Sequence, residues 1–298
     1  MLEKLFLKMK YKIPYISNEI YIEEGDYFSA IIGGEVSKGA RSPLLWNKAY
    51  KGLKIKSRMF AFDVNNENIS RLLEYLQDNK FYLGGAVAVP HKKNVFNYLD
   101  KNNSKECKLI QSVNCISRNS KGMLFGNNTD GLGANLSIKN NFKEIGNESK
   151  VCVLGDGGAG VAVAVYLANL VGKKNLTICS RSENGKKLSN EIGCNWINFS
   201  QINEIFEFQD LIVNCTILGY SNYSEKSPIS KDLFNLAKKD LKIFDIIYDP
   251  IASTLIQDAN NNGFKTLNGM EMNLLQAVAA FSIVNNVNDI DLIKKLMV

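Results

Sequence analysis

The sequence has few of the residues that build metal centres and disulfide frameworks. It contains a single histidine, His91, and six cysteines, none of which forms a C-x-x-C pair. Zinc sites and similar centres need several histidine or cysteine ligands at close spacing, so no metal is expected. Several cysteines lie in apolar, strand-like runs, which favours buried, reduced thiols. The pattern is typical of a cytoplasmic protein.

Long hydrophobic runs are also missing. No stretch of about 20 apolar residues could span a bilayer, and residues 1–15 alternate charged and apolar groups too tightly for a secretory signal. The net charge of +6 is dispersed, without a basic arm or an aromatic–basic RNA motif. We therefore expect neither a membrane nor a nucleic-acid partner, although a mildly basic surface suits anionic small ligands.

What is present is an alternation of predicted strands and helices, which favours α/β architecture with parallel sheets. With 298 residues, the chain is long enough for two domains, and their boundary is predicted near residue 130. A loop closes into a helix near Pro43, and the last helical stretch starts near Met270 and breaks at 285–289. Strands are predicted at 58–64, 84–90, 150–154, 175–179, 210–216 and 242–248, with a short one reaching Gly269. Further helices are predicted at 67–79, 91–99, 183–192 and 253–261, with another ending near Leu170.

The strongest local signal is a glycine-rich turn between an apolar strand and a helix, K-V-C-V-L-G-D-G-G-A-G. Gly155 permits the tight turn, and Gly157 or Gly158 lets backbone N–H groups approach a pyrophosphate at the helix N-terminus. The spacing departs from G-x-G-x-x-G, and a purely structural strand–helix turn is the alternative. The surrounding βαβ unit favours a dinucleotide site.

The tip of the next predicted strand indicates which dinucleotide binds. It reads Ser180-Arg181-Ser182, without the carboxylate that often binds the ribose hydroxyls of NAD; Glu183 comes later. An arginine at this place can stack on adenine and pair with a 2′-phosphate. We therefore predict NADP, against the alternative that Arg181 is only a solvated surface residue.

A lysine and an aspartate from different segments form a candidate acid–base pair. Lys92 follows a buried strand and a proline, and Asp130 lies at the predicted domain boundary beside Thr129 and Gly131. Such a pair near a nicotinamide can move the proton of an alcohol while hydride is transferred. Taken singly, Lys92 could be a solvated helix residue and Asp130 a helix N-cap. His91 is interpreted as a packed or solvated residue.

Eight motifs in a fixed order make the case more specific. They are Ser42-Pro43 with Asn47, Val89-Pro90-His91-Lys92, Asn128-Thr129-Asp130-Gly131, Gly155-Asp156-Gly157-Gly158-Ala159, Ser180-Arg181-Ser182, Asp210-Leu211 through Asn214-Cys215-Thr216, Phe244-Asp245 through Tyr248-Asp249-Pro250, and Gly269-Met270 through Gln276-Ala277. In this order they resemble the shikimate dehydrogenase family, from about residue 30 to the C-terminus.

The resemblance implies an N-terminal α/β substrate domain over residues 1–130 and a Rossmann-like NADP-binding domain over 131–269. It also implies that helices in 270–298 pack back on the first domain. Lys92 and Asp130 would be catalytic. The residues implied for the substrate are Ser42, Asn114, Tyr248 and Gln276, and those for the cofactor are Gly155, Gly157, Gly158, Ala159, Ser180, Arg181, Ser182, Thr216 and Gly269.

The implied activity is reversible hydride transfer between NADPH and a cyclic keto acid, 3-dehydroshikimate or a related compound, in aromatic amino acid biosynthesis. The enzyme would act as a monomer or a homodimer. Because the sequence retains both Lys92 and Asp130, a non-catalytic dinucleotide-binding sensor is the weaker alternative.

Four departures from the family pattern predict a changed substrate. In the first loop, where the family usually has His-Ser-x-Ser-Pro, Ala40 replaces the first serine, and in the His-Asn pair Trp46 replaces the histidine. In the strand before the lysine, where the family usually has Asn-Val-Thr-Val-Pro, Ala86 and Ala88 replace the asparagine and the threonine. Each lost hydrogen bond to a polar substrate costs about 1–3 kcal/mol, unless Arg41 or Glu35 supplies a new contact. A true shikimate dehydrogenase with a rebuilt pocket is the alternative.

Overall fold

The computed structural model describes residues 9–298, so residues 1–8 of the predicted first domain and of the N-terminal segment lie outside the described residues. The chain divides into two compact units. The first contains the residues up to Asn128 together with Ala277–Val298, and the second contains Thr129–Gln276.

The helices and strands follow the alternation read from the sequence, with additions. In the first unit they are β1 Lys10–Lys12, β2 Tyr21–Glu23, β3 Tyr27–Gly33, α1 Ser42–Gly52, β4 Ser57–Asp63, α2 Ile69–Asp78, β5 Tyr82–Val87, α3 Lys92–Leu99, α4 Lys105–Ile110, β6 Cys115–Arg118 and β7 Leu124–Asn127. In the second unit they are α5 Asp130–Asn141, β8 Val151–Leu154, α6 Gly158–Val171, β9 Leu176–Ser180, α7 Glu183–Ile192, β10 Asn195–Asn198, α8 Asn203–Phe206, β11 Leu211–Asn214, β12 Lys242–Asp245, α9 Thr254–Asn261 and β13 Lys265–Leu267. The C-terminal helices are α10 Met270–Asn285 and α11 Ile290–Met297.

The first unit is built on a five-stranded sheet of mixed direction, in the order β4-β3-β5-β6-β7. Strands β4, β3 and β5 run parallel, whereas β6 runs antiparallel to both of its neighbours, β5 and β7. The parallel pairing predicted from the alternation is found in β4, β3 and β5, and the antiparallel pairs at the other edge were not predicted. The reason is local: the short turn after β6 is closed by the side chain of Asn119, whose Oδ1 accepts from the backbone N–H of Lys121 and Met123, and a hairpin needs no helical crossover.

The core of this sheet forms around its central strand. All residues of β3 after Tyr27 are buried, as expected for a strand covered on both faces. Helix α2 buries Ile69, Leu72, Leu73 and Leu76, which lie on one face of a helix. The helix predicted at 67–79 is found at Ile69–Asp78.

The C-terminal segment returns to the first unit, as the family resemblance implies. The ring of Phe281 in α10 lies 5.1 Å from that of Trp46 and 5.0 Å from that of Tyr50, centroid to centroid. Helix α11 packs so closely on α1 that a Cβ added at Gly52 would lie 2.4 Å from a methyl carbon of Leu296. Trp46 is fully buried in this aromatic cluster.

The second unit contains a six-stranded parallel sheet in the order β10-β9-β8-β11-β12-β13. Chain order reverses between β8 and β11, and in such open sheets ligands bind at the carboxyl ends of the strands beside this reversal. The predicted Rossmann-like fold is confirmed. Strand β10 was not predicted, because its sequence N-W-I-N has only four residues, is partly exposed, and has asparagine, which is depleted in strands, at both ends.

Helix packing in the second unit depends on close backbone approach. Helix α6 buries nine of its residues, and a Cβ added at Gly131 in α5 would lie 2.2 Å from the carbonyl oxygen of Ala162 in α6. Only a glycine at residue 131 permits this contact between the two helices. Among residues 9–298, no helix is long and apolar enough to cross a membrane.

Candidate active site

Lys92 lies at the carboxyl end of the parallel strands of the first unit. The loop from β5 to α3 is fixed against the end of β3, because Ala88 N donates to Ile32 O (2.8 Å) and Gly34 N donates to Val89 O (3.1 Å). Lys92 is then the first residue of α3, and its carbonyl oxygen accepts from Val113 N at 3.1 Å. Its backbone is therefore held from two directions.

His91, next to Lys92, is a packed residue and not a solvated one. The side chain is fully buried, and Nε2 lies 2.7 Å from the carbonyl oxygen of Val64, to which it donates in the neutral tautomer. Nδ1 has no hydrogen-bond partner within the part of the chain that the structure describes. His91 thus anchors the start of α3 from within the core.

Asn114 lies at the same sheet edge as Lys92. It is buried just before β6, where its carbonyl oxygen accepts from Val87 N (2.7 Å) and its N–H donates to Asn127 O (3.1 Å). Ser42, the third candidate of this unit, is a buried residue that begins α1. The structure thus brings Lys92 and Asn114 to the end of β5 and places Ser42 at a helix start.

The residues that depart from the family pattern have different places in this unit. Trp46 is a core residue whose Nε1 has no hydrogen-bond partner among residues 9–298. Ala86 is buried within β5, and Ala88 lies in the loop that precedes Lys92, where its Cβ would be 3.0 Å from a Cβ on Gly33. Val89 beside it is 76% exposed. The segment leading to Lys92 therefore carries apolar groups.

In the second unit, Asp130 and Gln276 are brought together. Asp130 is the first residue of α5 and is 8% exposed; the N-cap position belongs to Thr129. Thr129 Oγ1 donates to the carbonyl oxygen of Gln276 at 3.1 Å, which ties the start of α5 to α10. An acidic side chain in the first turn of a helix interacts favourably with the helix dipole, which suits Asp130 to this position.

The glycine-rich turn has the geometry of a pyrophosphate-binding loop. Gly155 has φ +100°, which side chains disfavour, and a Cβ added at Gly160 would lie 2.2 Å from the carbonyl oxygen of Gly155. Gly157 is the N-cap of α6, and both it and Gly158 are exposed. The first N–H groups of α6, including that of Ala159, are thus accessible to an anion.

At the strand tip, the three predicted cofactor residues differ in their surroundings. Ser180 is buried, and its Oγ accepts from Trp196 Nε1 (3.0 Å) and donates to Ser182 O (3.3 Å). Arg181 is exposed and makes no hydrogen bond or ion pair within residues 9–298. Ser182 Oγ donates to the carboxylate of Asp156. Arg181 is therefore available to a ligand phosphate.

A buried polar network shapes the loops that follow β11 and β12, and sequence reasoning assigned it no role. Asn214 Oδ1 accepts from the N–H and the hydroxyl of Thr216 (2.9 and 2.8 Å), while its Nδ2 donates to Asp245 Oδ1 (3.0 Å). Asp245 also accepts from Ile247 N (3.1 Å) and Ser253 Oγ (2.6 Å). Burial raises the pKa of Asp245 to about 6 despite these donors.

The same network places two further candidates. Tyr248 follows the Asp245 turn and is half-buried. Gly269 N donates to Ile247 O at 2.9 Å, and a Cβ at Gly269 would lie 1.8 Å from the carbonyl oxygen of Ile246. A glycine is therefore needed at residue 269, because the backbone of Ile246 approaches it too closely for a side chain. The predicted strands 210–216 and 242–248 end early, at Asn214 and Asp245, because the side chains of these two residues bond the loops that follow.

Comparison with known proteins agrees with this architecture. Residues 31–116 match the family model for the shikimate dehydrogenase substrate binding domain. The shikimate dehydrogenase (NADP(+)) of Methanococcus maripaludis is 33% identical over 264 residues, which cover 86% of this chain and 92% of that protein. The enzyme of the same name from Alkaliphilus oremlandii is 33% identical over 280 residues, covering 90% and 95%.

Solved structures show the same relationship. A shikimate dehydrogenase crystallised with NADP+ superposes with a TM-score of 0.80 at 27% identity, covering 93% of this chain and 96% of that one. The shikimate dehydrogenase of Aquifex aeolicus gives 0.80 at 28% identity, covering 92% and 98%. The chain belongs to the shikimate dehydrogenase family, and the resemblance found in its motifs is confirmed.

Proposed function

We propose that this protein is an NADP-dependent oxidoreductase that reversibly transfers hydride between NADPH and 3-dehydroshikimate or a related cyclic keto acid. The observation that carries the proposal is the match, over about nine tenths of the chain, to relatives named as NADP-dependent shikimate dehydrogenases. Three built features support it: the glycine turn, the exposed Arg181, and Lys92 at the carboxyl end of the parallel strands of the first unit.

The residues present fit a dinucleotide. The exposed N–H groups at the start of α6, around Gly157, Gly158 and Ala159, would hold the pyrophosphate, and Arg181 and Ser182 would hold the 2′-phosphate. Thr216 and Gly269 lie on loops at the carboxyl end of the same sheet, beyond β11 and β13. When bound, the nicotinamide would supply the hydride.

The protein's own chemistry is proton movement and orientation. Lys92 would polarise the reacting oxygen through its ammonium group and move the proton, and Asp130 would orient that oxygen and share the proton. Either of the two can be the primary acid. Ser42, Asn114, Tyr248 and Gln276 would contact the remaining polar groups of the substrate.

A second candidate is a related hydroxy acid that is less polar than shikimate. It is favoured by the methyl groups of Ala86 and Ala88 on the segment that leads to Lys92, and by Ala40 in the loop before α1. A pocket without hydroxyl partners accepts less hydroxylated substrates and binds shikimate weakly. The triple variant Ala40→Ser, Ala86→Asn and Ala88→Thr should then improve shikimate oxidation.

The experiment is a screen of purified protein with shikimate, quinate and less hydroxylated cyclic hydroxy acids, each with NADP+ and with NAD+. Reduced-nicotinamide absorbance gives kcat/KM for each pair. The proposal expects turnover of at least one such acid with NADP+ preferred. Efficient oxidation of shikimate by the unmodified protein would remove the second candidate, and no turnover of any cyclic hydroxy acid would overturn the first.

We further propose the remaining organisation given by the resemblance. Residues 1–130 form the substrate domain, 131–269 the NADP-binding domain, and 270–298 the helices that complete the first domain. The enzyme acts in the cytoplasm as a monomer or a homodimer, with no nucleic-acid partner. Its oligomeric state can be measured by light scattering at working concentration.

A further inference from the structure

One carboxylate joins the two cofactor loops of the second unit. Asp156 is the second residue of the glycine turn, between β8 and α6, and it accepts the hydroxyl hydrogen of Ser182 just before α7. Its Oδ2 atom would also lie 3.1 Å from a Cβ added at Gly185, in the first turn of α7. The side chain therefore reaches from the pyrophosphate loop to the loop that carries Arg181.

The absence of a side chain at Gly185 lets this carboxylate approach. A Cβ there would lie 2.0 Å from Ser180 Oγ as well as 3.1 Å from Asp156. Ser180 Oγ is bonded to Trp196 and to the backbone of Ser182, whereas the hydroxyl of Ser182 donates to Asp156. The Asp156 carboxylate thus occupies the hydroxyl donor of Ser182.

This placement has opposite consequences for the two nicotinamide dinucleotides. A 2′-phosphate drawn to Arg181 and Ser182 brings up to two negative charges close to the Asp156 carboxylate, and like charges a few ångströms apart repel even near the protein surface. A ribose 2′-hydroxyl can instead donate a hydrogen bond to such a carboxylate. The same side chain therefore disfavours NADP and favours NAD.

We propose that Asp156 is a specificity-determining residue that narrows the preference of this protein for NADP over NAD, through its carboxylate beside Ser182. The inference rests on the proposed function, because it assumes that the glycine turn and the strand tip hold the adenosine half of the cofactor. Two residues would then act on cofactor preference in opposite directions. Arg181 favours NADP by binding its 2′-phosphate, and Asp156 favours NAD by repelling that phosphate.

The test uses the variant Asp156→Asn in the full-length protein. Asparagine keeps an oxygen that can accept from Ser182 and removes only the charge. Calorimetry with adenosine 2′,5′-bisphosphate and with 5′-AMP isolates the 2′-phosphate, and the same titrations with NADP+ and NAD+ extend the result to whole cofactors. The 2′-phosphorylated ligands should bind about tenfold tighter to the variant, while the others bind equally or more weakly.

Two controls separate this effect from others. Asp232→Asn removes one exposed negative charge elsewhere in the second unit and should change either affinity less than about twofold, since exposed distant charges are screened. Asp156→Ala removes the hydrogen bond as well as the charge, and it should still raise the ratio of 2′-phosphorylated to unphosphorylated binding.

The outcomes are distinguishable. An unchanged or lowered ratio in Asp156→Asn, or an equal loss of both ligands, would overturn the role of Asp156 while leaving the proposed function in place. A wild-type protein that binds neither dinucleotide would overturn the proposed function itself, and the Asp156 inference with it.

Discussion

The two units differ in how they offer groups to a ligand. In the second unit the candidate anion site is mostly backbone: exposed N–H groups at the start of α6, fixed by a turn at Gly155 and by the close approach of Gly160. In the first unit the candidate site is side chains, Lys92, Asn114 and Ser42, carried by backbone that is held from both sides.

This difference decides how far amino-acid substitutions can alter each candidate site. A backbone cradle depends on glycine at particular positions, because a Cβ at Gly160 would meet the carbonyl oxygen of Gly155 and the turn at Gly155 has a positive φ. A side-chain pocket can be altered one residue at a time while β5 and its loop keep their hydrogen bonds, as alanines at 86 and 88 illustrate. The chain therefore retains the cofactor motif closely and departs from the family where the substrate would bind.

The largest expected effect comes from removing a side chain of the candidate site in the first unit. Lys92→Ala should lower kcat by about two orders of magnitude or more, because a positioned acid–base group contributes 10²–10⁴-fold. The affinity for NADP+ should stay within about twofold, since this residue lies in the first unit. The neighbouring Lys93→Ala is the control, and steady-state rates with NADP+ titrations give both quantities. Full activity of Lys92→Ala would refute the mechanism.

A second expected effect concerns the buried network of the second unit. The pKa of Asp245 rises from 3.8 to about 6 on folding because of burial. The folded state therefore holds its proton more tightly, and this contribution to stability, about 3 kcal/mol, is present below about pH 4 and lost as the pH rises through about 6.

Urea unfolding between pH 4 and 7 measures this contribution. Wild-type stability should fall with rising pH relative to that of Asp245→Asn, which has no proton to lose at this position. Parallel pH profiles for the two proteins would show that the Asp245 carboxyl is not perturbed. Asp258→Asn, outside the network, is expected to follow the wild type.

A third expected effect tests the backbone cradle. Gly160→Ala should lower the free energy of unfolding by about 1–3 kcal/mol, because its Cβ would lie 2.2 Å from Gly155 O and the turn must shift. Gly157→Ala is the matched control, since a Cβ there meets nothing within 4 Å and φ is −72°. It should leave stability nearly unchanged and affect only dinucleotide binding. Equal destabilisation by both variants would contradict the geometry.

The smallest expected effect sharpens the assignment of the cofactor. Arg181→Ala should weaken NADP+ binding about tenfold and NAD+ binding much less, since a charge-assisted bond to phosphate contributes about 1.5–3 kcal/mol at most and Arg181 is exposed. Fluorescence titration of both dinucleotides gives the ratio. Equal weakening of the two would mean that Arg181 does not read a phosphate.

Much of the second unit could be predicted from the sequence because its signals are local. Helix α7 was predicted with its observed bounds, and the glycine turn marked the β8–α6 junction. Strand β10 and the β6–β7 hairpin were missed, since their residues alternate poorly and their pairing is decided by neighbouring strands.

Site residues were predicted from motif order, and their surroundings were not. Nothing local indicates that Ser180 Oγ is bonded to Trp196, that Trp46 joins Phe281, or that Asp156 reaches Ser182. These contacts join residues 16 to 235 positions apart in the chain, so only the folded sheet brings them together. The hydrogen bond between Asn214 and Asp245 was missed for the same reason, because each residue was recognised only as part of a predicted strand.

The most direct test of the account is the reverse reaction, followed as the loss of NADPH absorbance when 3-dehydroshikimate or a less hydroxylated cyclic keto acid is added to purified protein. The account predicts steady oxidation of NADPH by the wild type, slower oxidation of NADH, and at least about a hundredfold lower rate in Lys92→Ala. No oxidation with any such keto acid, or the same rate in wild type and Lys92→Ala, would contradict it.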